Sequence, residues 1–216
     1  MAETPIVAVR GEAVHEVPPE TARFTVTVAA RDADRQTTLT RLAERTDAVR
    51  AVLDSYAEAV EHRETEAVQV RPELKRRGER VSAYVASLAT TVSVRDFAVL
   101  GELMLRLADE EQTSVYGPWW GLRPGSEVHR AARRAAVDDA VRRAREYAEA
   151  VGSRLGDLLA ITDVGMSGPQ PMAMTLAGGA RGGGGGLPEL DLEPQRQTVV
   201  ASVEMRFTMT PPTALG

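Results

Sequence analysis

The chain has 216 residues, enough for one large domain or two small ones with a sizeable core. It contains no cysteine, which excludes disulfides, thiolate nucleophiles and Cys-based zinc sites, and its one lysine, Lys75, removes most lysine-based mechanisms. Acidic residues outnumber basic ones by 31 to 26, and the arginines are scattered, so no nucleic-acid footprint stands out.

Ile6 to Glu12 reads as a short strand ending in a turn, and Ala22 to Val28 alternates with period two after Pro18-Pro19, so the two are expected to pair. A helical pattern starts near Asp34, with Leu39, Leu42, Val49, Leu53, Tyr56 and Val60 on one stripe and Asp32 or Asp34 as N-cap. Val68 to Pro72 and Val81 to Val94 read as a β-hairpin around the charged turn Lys75 to Gly78. Asp96 is expected to cap a short helix with Phe97, Leu100, Met104 and Leu107 inward, before a strand from Thr113 to Leu122. Ser126 caps the longest helix, whose apolar stripe runs Val137, Val141, Ala144, Ala148, Val151 and Leu155, with Gly152 as the C′ residue. Leu158 to Val164 and Thr198 to Thr208 read as closing strands around a Gly/Pro/Met-rich stretch at about 166–194, which reads as a flexible loop.

The order ββα, ββα, βα, ββ suits an α+β fold, an antiparallel or mixed sheet with helices packed on one face. No internal repeat is legible. Aromatic residues make up only 4% of the chain, so the core is expected to be aliphatic.

The ordered set Gly11-Glu12, Ala22-Arg23-Phe24-Thr25-Val26, Val68-Gln69-Val70, Ser82-Ala83-Tyr84-Val85-Ala86-Ser87, Val94-Arg95-Asp96-Phe97, Gly121-Leu122, Ala144-Arg145-Glu146-Tyr147-Ala148-Glu149 and Ala201-Ser202-Val203-Glu204-Met205-Arg206-Phe207 resembles the SIMPL-domain (DUF541) family across nearly the whole chain. The resemblance implies a single α+β module over 1–216 and frequent homo-oligomerisation. Some bacterial members are similar to periplasmic or outer-membrane antigens that build large rings, and the family has loose links to oxidative-stress defence and adaptor roles. It supplies no catalytic residues to carry over. The start Met1-Ala2-Glu3-Thr4-Pro5 lacks the basic and apolar regions of an export signal, so a cytoplasmic location is expected as written, or a periplasmic one if a leader has been trimmed.

Trp119 and Trp120, with Tyr116 on the same strand, are the candidate interface: adjacent strand residues point to opposite faces, so one tryptophan should look outward or into a partner. Glu12, His15 and Glu16 are a candidate acid/base cluster, the alternative being a solvated turn. His15, His62 and His129 fall on different elements and form a metal site only if folding gathers them. Asp138 and Asp139 diverge by about 100° on the helix and read as surface charges paired with Arg142 and Arg143. The run Gly182 to Gly186 fits neither phosphate-loop pattern and reads as linker, and Met166, Met172 and Met174 beside it are candidate oxidant scavengers or simple filler. No cofactor is called for. The expectation is a non-enzymatic, homo-oligomeric interaction protein; the competing readings are a ligand-binding protein or enzyme with its site between sheet and helices, near His15 or His129, and an adaptor recruiting partners through the methionine-glycine loop.

Overall fold

Period-two and 3.6-residue patterns place strands and helices in the expected order, and the computed structural model describes residues 4–74, 80–167 (166 and 167 by backbone alone) and 190–214. The elements are β1 (Ile6–Val17), β2 (Thr21–Asp32), α1 (Arg35–Ser55), β3 (Val60–Leu74), β4 (Val81–Val94), α2 (Leu100–Ala108), β5 (Thr113–Gly121), α3 (Glu127–Ala150), β6 (Leu155–Ser167) and β7 (Gln197–Met209). All strand pairs are antiparallel. The turn Lys75 to Gly78, the glycine run, Met172, Met174 and the Met166 side chain lie outside the described residues.

The chain divides into two compact units. The first draws on Met1–Pro18, Leu122–Gln170 and Arg196–Gly216, so it is discontinuous in sequence. Its sheet has the order β1-β7-β6, with α3 packed on it. The expected pairing of β1 with β2 does not occur: β1 runs on past Glu12 to Val17 and pairs along its full length with β7, from Ile6↔Thr208 to Val17↔Gln197. Pro18 and Pro19 cannot donate to a ladder, and the chain leaves this unit there.

The core of this first unit is a contact between very small residues. α3 buries Ala132, Ala136, Ala140, Ala144 and Ala148, one row at i, i+4 spacing, against Val7, Val9, Val199, Ala201 and Met205 of the sheet. The inner face is therefore the alanine row, which includes the expected Ala144 and Ala148, while the expected Val137 and Val141 are only partly buried at its flank. Gly11 is why the helix can approach so closely: a Cβ there would land on the Ala136 carbonyl oxygen and lie 2.7 Å from Ala140 Cβ. At the helix ends, Ser126 accepts a hydrogen bond from Val128 N–H as N-cap, and Gly152 follows the C-cap Val151 with φ of 68°.

The second unit comprises Pro19–Gly121 and Pro171–Gln195, with sheet order β3-β4-β2-β5. Phe24, Val26 and Val28 of β2, Val92 and Val94 of β4, Leu42, Val49 and Leu53 of α1 and Leu100, Leu103 and Leu107 of α2 form its core, so both helices pack on one face of the sheet. Asp34 is the N-cap of α1, accepting from Thr37 N–H at 2.8 Å, while Asp32 accepts from Asp34 N–H. The helix ends at Ser55, so Tyr56 is its C-cap and Val60 opens β3 instead of extending the stripe. Two threonines complete the inner face of α1: Thr38 and Thr46 are buried because each hydroxyl donates to the carbonyl four residues back, Asp34 and Leu42. Asp96 does not cap α2. It accepts from Ala98 N–H in the preceding turn, Val99 is the N-cap with no side-chain bond, and Phe97 packs on the core from that turn.

Replacing Gly11 by Ala forces α3 off the sheet. The Gly11→Ala variant should lose about 3 kcal/mol or more of unfolding free energy in urea titration, whereas Gly125→Ala, where an added methyl meets nothing within 4 Å, should lose far less.

Candidate functional site

β5 forms one edge of the four-stranded sheet and carries all three aromatic candidates. Trp119 pairs with Arg23 and Tyr116 with Thr25, so Gly117 and Pro118 together oppose the single residue Phe24. That extra residue is a β-bulge, and it brings Tyr116 and Trp119, three apart in sequence, onto the same outer face. Their rings meet edge to face with centroids 5.0 Å apart, and Tyr116 is 49% exposed. Trp120 turns the other way: it pairs with buried Ala22, packs on the core and meets Phe97 edge to face at 4.9 Å. One tryptophan thus belongs to the core, and the other forms an outward aromatic pair with Tyr116.

The proposed cluster of Glu12, His15 and Glu16 is not assembled. These residues lie within the extended strand β1, where alternation puts Glu12 and Glu16 on one face and His15 on the other, and the two carboxylates stand about 13 Å apart along the strand. Glu12 instead pairs with Arg10 at 2.9 Å, and its backbone N–H donates to Asp139 of α3 at 3.1 Å. His129 stands in the first turn of α3 with its Nδ1 buried and without a hydrogen-bond partner among the described residues, and His62 is exposed on β3 in the other unit. No group of three or more His, Asp or Glu suited to a metal is present among the described residues. Asp139 pairs with Arg142 and lies 4.0 Å from Arg143, as the helical spacing implies, and it also holds the edge of β1.

The resolved electrostatic shifts follow surface partnerships. Backbone and hydroxyl donors of Thr37 hold the Asp34 carboxyl below the usual range, and the Arg31 guanidinium does the same for Glu73 across a 2.9 Å hydrogen bond. Arg31, Arg106 and Arg142 are raised by Glu73, Tyr56 and Glu146 respectively.

Sequence reasoning placed strands at β3 and β6 but missed that each is longer than expected and forms the edge of its sheet. α1 lies on β2 and β4, and α3 lies on β1 and β7, so each sheet has one strand beyond the helix layer. On β3, Val68 and Val70 pair with Leu88 and Ala86, residues of the core-facing side, yet are 61% and 37% exposed. On β6, Leu158, Leu159, Ile161 and Val164 are all 44% exposed or more. Pro72 near the end of β3 was the available signal, because proline within a strand is confined to edges and bulges. A cavity of about 310 Å³ lies between α3 and the overhanging β6, lined by Ala136, Val137, Ile161, Ala201 and Val203 with Arg133 and Asp163 at its polar part.

Residues 7–207 match the model of the SIMPL family, described as a protein of unknown function (DUF541). No curated protein matches the chain.

Two outcomes follow from this geometry. Trp120→Ala should cost about 3 kcal/mol in urea unfolding, while Trp119→Ala should cost under about 1 kcal/mol, because only Trp120 packs on the core. Asp34 and Glu73 have folded pKa values below their unfolded ones, so their stabilisation is present above the unfolded values and is lost as pH falls through the lower folded ones. An Asp34→Asn/Glu73→Gln variant should therefore show a shallower loss of urea midpoint between about pH 5 and about pH 2.5 than the parent chain.

Proposed function

The chain belongs to the SIMPL family, and we propose that it works as a homo-oligomeric interaction protein and not as an enzyme. One observation carries this reading: both sheets end in a long strand, 15 residues in β3 and 13 in β6, that leaves the helix cover and sets aliphatic side chains in water. Strand edges of this length with no partner strand among the described residues are templates for another strand. The outward Tyr116–Trp119 pair adds a second surface of the kind that anchors protein contacts. The titratable groups with shifted behaviour are held by caps and surface ion pairs, which supports a structural use of charge.

A second reading rests on the cavity between α3 and β6. Its apolar walls, with a guanidinium and a carboxylate in the lining, suit a small molecule with an apolar body and one polar end.

Light scattering on the full chain over a concentration series tests the first reading. The expected result is a defined mass at least double that of one chain, lowered in Trp119→Ser or in Leu158→Lys/Ile161→Lys. A single-chain mass at every concentration overturns it.

A further inference from the structure

We propose that a second copy of this chain adds, in antiparallel register, to the edge of β3 that has no partner strand among the described residues, with Val68 of each copy on the two-fold axis. The inference rests on the self-assembly reading above and names its contact.

The register follows from symmetry and from the bulge in β3. An antiparallel pair of identical strands is related by a two-fold axis perpendicular to the sheet, which keeps each face on its own side, so every residue must meet one from the same face. Val68 and Val70 share the core-facing side with Thr65, whose partner on β4 is Thr90. Between Thr65 and Ala67 the register to β4 slips by one, leaving Glu66 as the extra residue, and its carboxylate turns to the Thr91 hydroxyl. With Glu66 bulged out, placing Val68 opposite its own copy sets Ala67 opposite Gln69, Thr65 opposite Val70 and Glu64 opposite Arg71. All of these pairings are face-consistent.

The register also matches charge. Glu64 and Arg71 lie on the same outer face, paired with Thr91 and Val85, and the two-fold axis creates their ion pair twice. Opposite charges directly across a ladder stabilise it and like charges oppose it. The valines at 68 and 70 of both copies then cover one another on the core-facing side, past the strands that α1 covers. Pro72, with no N–H to give, ends the ladder just beyond Arg71. The product is one continuous eight-stranded sheet, two copies of the order β3-β4-β2-β5 joined at β3.

The chain has no cysteine, so a single introduced thiol reports the contact directly. Residues facing one another across antiparallel strands have Cα atoms about 4.5–5.5 Å apart, within disulfide range. Val68→Cys should cross-link nearly completely to a dimer under mild oxidation, while Tyr147→Cys on exposed helix surface should not. Arg71→Glu should weaken association roughly tenfold by sedimentation, and adding Glu64→Arg in the same chain should restore it to within about threefold. If the parent chain assembles but Val68→Cys stays uncross-linked and Arg71→Glu leaves association unchanged, this contact is wrong and the assembly reading survives. A parent chain that is monomeric throughout overturns both.

Discussion

The approach of α3 to β1 is the constraint from which the first unit follows. Gly11 removes the one side chain that would hold the helix off, and the alanine row presents a surface only a methyl deep. Packing at that range gains dispersion contacts along the whole row but gives little breadth. A helix about 10 Å across can shelter roughly two strands spaced about 4.8 Å apart, and here they are β1 and β7. The third strand is left to overhang, and a cavity opens beneath it between Val137 and Ile161. Exposure of β6 is thus a result of how the core is built.

The second unit reaches the same outcome with larger side chains. Leucine, valine and Phe24 fill the space under α1 and α2, and buried threonines are admitted only because the helix backbone satisfies them. Two helices still leave β3 beyond their edge. Charge is worked into that margin: Arg31 and Glu73 tie β2 to the end of β3, Arg63 pairs with Asp54 of α1, and Glu66 holds Thr91. These pairs dress the strand's faces and, among the described residues, leave its backbone edge open.

Much of this was legible in the sequence, and the failures have physical causes. Local signals worked: Asp34, Ser126 and Gly152 sit at the helix ends they announced, and the strands of the core alternate as written. Partner choice was not legible, because β1 meets a strand almost at the other end of the chain and proximity in sequence pointed to β2. The inner faces of α1 and α3 were misread where burial depends on smallness or on an i−4 hydroxyl bond, since a search for large apolar residues passes over Ala136, Ala140, Thr38 and Thr46. For the candidate site, alternation separated Trp119 from Trp120, but a turn was assumed where β1 continues, and the cluster around His15 dissolved with it. The strands β3 and β6 were legible but their overhang was not, because exposure is set by the reach of a helix, which no local pattern encodes.

The Arg10 guanidinium donates to Ser202 across 192 residues of intervening chain, within a ladder that joins the first strand to the last. During synthesis β1 is made long before β7, the strand it pairs with, whereas β2 through β5 follow it as an uninterrupted set able to close their own sheet. The ribosome must deliver β7 before β1 and β6 acquire the strand between them. β1 therefore stays without its partner until β7 has been made, and a chain stalled or clipped before residue 197 leaves both of that strand's neighbours without it.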